Sequence, residues 1–357
     1  MARTLFSFLP FMVCFWWLLT FAIGYHKFDA AKRSLTWYSA ACAMLYLCHA
    51  FYFTVGIPHA VDCLWTLCSL SVYPLYYLYI CRLTDRQMSP SCYLLLLPAV
   101  VVAGVKFVVP CDFIVVIQQL VFASQVLLCC FFGIKRLREF DRRLADVYAD
   151  MEGRGTPQFR ALLVAIVTIS CLAAIANALG RRYFSDSDWL LIALAVTFSG
   201  LQYALHFIAY HRQFTQEEFE ADSIDEIPAS TATDASPAEE EAAPDVPELA
   251  KKIEALMSGE QFYLTPNLKI ADLAKRLGTC RTYVSTHINQ ATGMSFSDYV
   301  NHLRVEHAKR LMQERRDIKI ASLAELSGFA SELSFYRNFR KFTGLTPKAW
   351  LKQNAQE

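Results

Sequence analysis

The sequence predicts an all-α protein, with a seven-helix transmembrane bundle followed by a C-terminal all-helical domain that contains two helix-turn-helix units. Three observations support this. Of the 357 residues, 55% are hydrophobic, and nearly all long apolar runs lie before residue 210. Residues 213–250 contain twelve Asp or Glu and no Lys or Arg, whereas residues 251–357 contain seventeen Lys or Arg against ten Asp or Glu. The basic region also repeats one helical pattern. We therefore expect three regions: 1–212, 213–247 and 248–357.

Seven segments approach the roughly 20 apolar residues that a helix needs to cross a hydrocarbon core about 30 Å thick. They are residues 4–24, 35–56, 61–81, 92–109, 113–134, 160–179 and 188–208. The fourth is the shortest and contains Pro98. Helices are expected because lipid offers the backbone no hydrogen-bond partners.

Basic residues in short loops predict the orientation of such a bundle. If the N-terminus is outside, the inner loops carry Lys27, Lys32, Arg33, Arg82, Arg86, Lys135, Arg136, Arg138, Arg142, Arg143, Arg154 and Arg212. The outer segments carry only Arg3, Arg181 and Arg182, with Lys106 near a helix end. This bias predicts a multi-pass protein of the bacterial inner membrane, with a periplasmic N-terminus and a cytoplasmic C-terminal domain.

Four polar residues fall in the outer half of the predicted bundle: His49, Gln118, Gln119 and Asn177. Polar groups at membrane depth are costly and often functional, so one interpretation is a periplasm-facing pocket for a small-molecule signal. The alternative is hydrogen bonding between helices.

Cysteine is concentrated in the apolar region, which holds eleven of the twelve. No CxxC pair with matching His or Cys appears, so we expect no metal site and no cofactor. Cys63 and Cys111 fall near predicted outer ends, where either a disulfide or two free thiols are compatible with an oxidising compartment.

The longest inner loop, 135–159, contains apolar residues at spacings of three and four: Leu137, Phe140, Leu144, Val147 and Met151. This short heptad pattern predicts either a cytoplasmic extension of the fifth helix that contacts a second copy, or an amphipathic helix on the bilayer surface.

Residues 213–247 form the acidic segment, and from Ile227 onward Pro, Ala, Ser, Thr and acids dominate. Such a composition predicts a disordered linker. The alternatives are that it folds back on the basic domain in competition with nucleic acid, or that a protease cuts it.

The basic region contains two helix pairs with the layout of a helix-turn-helix. In the first, Lys269–Gly278 carries one apolar stripe, Gly278 suits the turn, and Thr279 or Cys280 opens the next helix. Tyr283, Val284, His287 and Ile288 are expected inward or sideways. In the second pair, Ile320–Phe329 is followed by Ser331–Phe342. One long helix, Phe296–Met312, is predicted between the pairs.

At this point the stretch resembles the DNA-binding domain of AraC-type regulators, over about 100 residues. The likeness is carried by Ala291–Tyr299, Leu303–Leu311, Gly328–Ser331, Ser334–Arg337 and Phe339–Pro347. The resemblance implies that the second helix of each pair reads base edges. It assigns that role to Thr282, Ser285 and Thr286 in the first unit, and to Ser331, Glu332, Leu333, Ser334 and Arg337 in the second. Arg281, Arg340 and Lys341 are expected at phosphates. Glu332 and Leu333 depart from the polar or basic residues usual there, which leaves the target sequence open.

The sequence therefore predicts a membrane-bound one-component transcription factor, not an enzyme, that senses a signal at its bundle. Expected partners are promoter DNA, the lipid bilayer, a second copy of the chain and RNA polymerase, in the manner of an activator. The alternatives are a transporter-like or catalytic bundle with a regulatory tail, and a membrane-stored regulator released by proteolysis.

Overall fold

The computed structural model describes residues 2–54, 58–85, 88–109, 111–179, 188–223, 246–315 and 318–354. The chain divides into two compact units. The first comprises residues 1–140 and 156–217, and the second comprises 141–155 and 218–357. In the described residues the regular elements are helical, apart from one isolated antiparallel bridge between Tyr148 and Lys269.

The first unit contains long apolar helices. They are α1 (Ala2–Ile23), α2 (Ala30–Thr54), α3 (His59–Thr84), α4 (Leu97–Val108), α5 (Asp112–Val147, whose last residues belong to the second unit), α6 (Pro157–Leu179) and α7 (Asp188–His211). These helices overlap the seven predicted segments. The fourth segment is split, because a 3-10 helix over Pro90–Leu96 precedes α4. Pro98 lies in the first turn of α4, where its missing N–H costs nothing.

Four helical stretches in the described part of the chain are long and apolar enough to cross a membrane: His59–Thr84, Pro90–Val108, Phe113–Val147 and Ile192–His211. Phe8–Ile23 and Pro157–Leu172 are shorter apolar helices. The first unit also exposes large apolar side chains, among them Trp16, Ile23, Phe113 and Trp189. Such a surface is typical of helices that face lipid. Seven membrane crossings remain a prediction.

Buried polar side chains connect α2 to α7 inside the first unit. The Tyr38 hydroxyl and the Gln202 amide lie 3.0 Å apart, and Ser39 Oγ lies 2.8 Å from His206 Nε2. All four residues are buried. These bonds match the interpretation of polar groups at membrane depth as contacts between helices.

The second unit contains the shorter helices. They are the end of α5, α8 (Gln216–Ser223), α9 (Val246–Glu254), α10 (Ile270–Leu277), α11 (Arg281–Thr292), α12 (Phe296–Glu314), α13 (Ile320–Leu326), α14 (Glu332–Thr343) and α15 (Pro347–Asn354). A π-helical turn over Ala255–Gly259 and a 3-10 helix over Phe262–Leu264 precede α10.

Helix α12 contributes to two small hydrophobic cores. Phe296 and Val300, in its first half, pack with Leu273 of α10 and Val284 of α11. Its second half packs with α13 and α14 through a core that contains Val305, Met312, Leu323, Phe335 and Phe339. Burying apolar side chains of this size contributes roughly 1.5–3 kcal/mol each. The long helix therefore serves as the shared support of both helix pairs.

The apolar seam of loop 135–159 is buried within one chain. Helix α5 extends to Val147 as one interpretation predicted, but Leu137, Phe140, Leu144 and Val147 are all at most 6% exposed. This burial argues against the use of the seam as a contact with a second copy or with a bilayer surface. Within the predicted linker, Phe214 and Phe219 are buried and 216–223 is helical. The rest of that linker, 224–245, lies outside the described residues.

Candidate nucleic-acid interface

The first helix pair is formed by α10 and α11. Helix α10 ends at Gly278, whose φ of 67° is left-handed and therefore favours glycine. Cys280 then takes the N-cap position of α11. Leu273, Val284 and Ile288 are at most 2% exposed and lock the two helices together. The remaining face of α11 stays available at the surface.

That face carries most of the residues predicted to contact DNA in the first helix pair. Thr282 and Thr286 are exposed, whereas Ser285 and Arg281 are half-buried. Tyr283 differs from expectation, because 42% of it is exposed. Sequence reasoning missed it as a candidate contact. The signal was present in the spacing, since Tyr283 lies three residues before Thr286 and shares its side of the helix.

The second helix pair is formed by α13 and α14. Gly328, in the turn, has a φ of 79°, and a Cβ built there would lie 2.6 Å from the backbone oxygen of Leu264. Only glycine fits this close approach. Ser331 caps α14, because its hydroxyl accepts a hydrogen bond from the backbone N–H of Ser334 at 3.1 Å.

The exposed face of α14 presents Glu332, Leu333, Arg337, Arg340 and Lys341. Leu333 is 50% exposed. Lys341 pairs with Asp298 of α12 at 2.5 Å.

Ser334 was predicted to read a base edge, but its side chain is buried. It is 8% exposed, and the Asn338 amide donates to its backbone oxygen at 3.0 Å. Ser334 directly precedes the buried Phe335. Its backbone N–H belongs to the cap of α14.

Of the four polar residues of the predicted ligand pocket, the structure describes the side chains of His49, Gln118 and Gln119. Gln118 is buried and its Oε1 accepts from Thr66 at 3.0 Å and from Lys106 Nζ at 3.2 Å. Its neighbour Gln119 is exposed. His49 packs its ring on Tyr46 and Trp65. The side chain of Asn177 lies outside the described residues.

A buried cation near Gln118 was not singled out from the sequence. Lys106 is 5% exposed and pairs with Asp62 at 2.9 Å. It also donates to Thr66 at 2.9 Å. The spacing of Asp62 and Thr66, one turn apart on α3, was the signal. The ammonium has three donors and three oxygen partners, so this cluster is satisfied within the chain.

In the described part of the chain, no group of three His, Cys, Asp or Glu is placed to hold a metal ion. Cys63 and Cys111 are both free cysteines. Cys63 Sγ instead lies 3.7 Å from His59 Nε2.

The sequence of the two helix pairs is similar to that of known proteins. Residues 273–353 match the family described as helix-turn-helix domain. Residues 273–353 form an AraC-type helix-turn-helix domain. The chain is 37% identical over 90 residues to the transcriptional regulatory protein YesN of Bacillus subtilis (strain 168). It is 35% identical over 95 residues to the HTH-type transcriptional regulator YijO of Escherichia coli (strain K12).

These similarities cover only part of each protein. The aligned stretch is about a quarter of this chain, 24% of YesN and 28% of YijO. An HTH-type transcriptional regulator of Staphylococcus aureus (strain MSSA476) is 31% identical over 90 residues, which is 12% of its length. No solved structure matches the chain.

Proposed function

We propose that this chain is a membrane-bound one-component transcription regulator. Its AraC-type domain binds promoter DNA in a sequence-specific way through α11 and α14, and its apolar unit anchors it and responds to a signal. The observation that carries the proposal is the pairing of two glycine-turn helix pairs on one shared helix, α12, each with a polar outer face.

The surface chemistry of α14 supports direct base reading. Arg337 lies on the exposed face, and a guanidinium matches the O6 and N7 acceptors of guanine in the major groove. Leu333 offers an apolar surface for a thymine methyl, and the Glu332 carboxylate suits the amino group of cytosine. Arg340 and Lys341 lie further along the helix, where phosphates position the duplex without specifying its sequence.

The membrane part of the proposal is supported by the four apolar helices long enough to cross a bilayer. A domain that binds DNA must lie in the cytoplasm, and the excess of basic residues in the predicted inner loops agrees with that side. A reporter fused to the C-terminus that was active only in the periplasm would rule out the proposal.

DNA recognition is tested with the full chain in phosphatidylcholine nanodiscs. The protein selects duplexes from a random library, and the selected sites are sequenced. We expect a defined site, and we expect Arg337→Ala to lose about 1–3 kcal/mol of discrimination at one base pair. The matched control is Arg315→Ala, an exposed arginine at the end of α12. Selection of no preferred sequence by the unchanged protein would contradict the proposal.

A further inference from the structure

Residues 148–152 hold a place in the fold that their position in the sequence does not suggest. They follow α5 and precede α6, two apolar helices, yet they belong to the same compact unit as the AraC-type domain. Tyr148, Ala149 and Asp150 are at most 2% exposed. We call residues 148–152 the clasp.

The backbone of the clasp makes hydrogen bonds to the residues just before α10 and to the first half of α12. The Ala149 N–H donates to the Leu268 carbonyl at 2.9 Å, and the Ala149 carbonyl accepts from Ser297 Oγ and Asn301 Nδ2, each at 2.8 Å. Ser297 and Asn301 are buried side chains of α12. Burying a polar side chain in a hydrophobic core destabilises the fold unless the side chain is hydrogen-bonded. The clasp supplies the hydrogen-bond acceptor for two such side chains of α12.

An ion pair fixes the next residue. Asp150 Oδ1 lies 3.0 Å from Arg304 Nη1, and Asp150 Oδ2 accepts from the Asn267 N–H at 3.0 Å. Arg304 is fully buried at the centre of α12. A buried guanidinium needs a counter-charge, and Asp150 supplies it.

The end of the clasp reaches the second recognition helix. The Ser331 hydroxyl, which caps α14, donates a hydrogen bond to the Glu152 carboxylate. Glu152 therefore places a negative charge at the N-terminus of α14, where free N–H groups and the helix dipole attract anions. A DNA phosphate approaching this end of α14 would meet that charge and be repelled.

We propose that the clasp inhibits DNA binding: Glu152 occupies the N-terminus of α14, and this end of the clasp must leave before α14 can enter the major groove. The inference rests on the proposed function, since it concerns regulation of the same surface. Because the clasp is continuous with α5 and α6, a change in these helices can strengthen or weaken the inhibition. By the same coupling, bound DNA favours the form in which this end of the clasp is released.

The first experiment measures DNA affinity of the full chain in nanodiscs, on the sequence selected by the unchanged protein. Glu152→Ala is expected to bind DNA about threefold to fivefold more tightly, because it removes an exposed charge contact that stabilises the form with the clasp in place. Glu314→Ala removes the same charge at an exposed position on α12 and is expected to change affinity less than about twofold. Equal affinity of Glu152→Ala and the unchanged protein would overturn the inference. Absence of specific binding by every variant would instead overturn the proposed function.

The second experiment locks the contact. The variant Glu152→Cys with Ser331→Cys is treated with a short bifunctional methanethiosulfonate, which a reductant reverses. The locked protein is expected to lose at least about tenfold in DNA affinity and to regain it on reduction. Bound DNA should also slow the crosslinking. Each single substitution, treated in the same way, controls for the native cysteines. A locked protein with full affinity would refute the inference.

The third experiment tests whether the clasp holds the domain without the peptide linker. A protease site is placed within residues 224–245 of the full chain, and membranes are sedimented after cleavage. We expect the cut domain to stay with the membranes in the unchanged protein, and to appear in the supernatant when Asp150→Ala removes the ion pair. Release of the domain from the otherwise unchanged protein would show that the clasp does not bind it.

Discussion

The clearest energetic prediction concerns the ion pair between Asp150 and Arg304. Asp150 is 2% exposed and Arg304 is not exposed at all. Burial lowers the pKa of Arg304, while the nearby carboxylate of Asp150 acts in the opposite direction. The substitution Asp150→Ala removes the carboxylate and leaves the guanidinium in the core without a counter-charge.

The expected loss follows from the partners that remain. Removing one member of a buried ion pair typically costs about 3–5 kcal/mol. Arg304 keeps two carbonyl acceptors after the substitution, Tyr263 and Thr265, each at 2.7 Å. Hydrogen bonds from a charged donor are strong, so we expect a loss at the lower end of that range, about 3 kcal/mol. This loss corresponds to an increase of somewhat more than 100-fold in the equilibrium constant for opening of the domain.

The assay is hydrogen exchange of the amides of residues 296–314, measured by mass spectrometry on the full chain in nanodiscs. The control is Glu260→Ala, which breaks an exposed pair with Arg276 at 3.2 Å and should cost less than about 1 kcal/mol. If Asp150→Ala changes protection of α12 no more than the control does, the reasoning is refuted. Adding Arg304→Met should recover part of the loss, because an apolar replacement of a buried pair is often neutral.

Further predictions concern the turn, the recognition helix and pH. Gly328→Ala should lower the free energy of unfolding of the domain by more than about 2 kcal/mol, because the left-handed φ and a clash with the backbone of Leu264 add together. In the same unfolding measurement Gly344→Ala should cost only about 1–2 kcal/mol, because its φ is left-handed but no atom obstructs the added Cβ. Leu333→Ala should weaken preference at one thymine in the selected site with little effect on stability. Arg340→Ala should weaken binding to all sequences and reduce the slope of log affinity against log salt by about 1. Although burial acts to raise it, the pKa of Asp222 is held below its usual value by hydrogen bonds from Lys269 and Tyr148. The stability that Asp222 adds is therefore present at pH 7 and is lost as pH falls through the lowered pKa. The difference in unfolding midpoint between the unchanged protein and Asp222→Asn should be present at pH 7 and vanish at low pH.

The two helix pairs could be predicted because their signals are local. Gly278 and Gly328 mark the turns, and the apolar stripes have helical spacing, so the observed helices begin and end within a few residues of the predicted bounds. The direction of side chains near the start of a helix was harder to predict. Ser334 is buried beside the apolar stripe of α14, and Tyr283 stays outside although aromatic residues usually favour the core.

The clasp could not be predicted, because its signal is not local. Asp150 and Arg304 are 154 positions apart, and neither residue is part of a periodic pattern. In the sequence Asp150 is one acid within a basic loop, and Arg304 is one of many cations in a basic domain. The burial of the α5 seam was missed for the same reason. Its apolar spacing showed that something covers Leu144 and Val147, but spacing alone does not identify the partner.

The clasp changes how a signal in the apolar unit can affect DNA binding. A flexible linker alone would set the local concentration of the domain but would exert no preference between its conformations. The clasp supplies contacts that a released form would lack: residues 149 and 150 are held by α12, and Glu152 is held by the cap of α14. Allosteric coupling requires such a difference in contacts between two states. The clasp also limits the release of the domain by proteolysis, because a cut in residues 224–245 leaves the bonds of the clasp intact. A soluble regulator would then form only after the clasp opens, so the sedimentation experiment separates regulation by cleavage from regulation by the clasp.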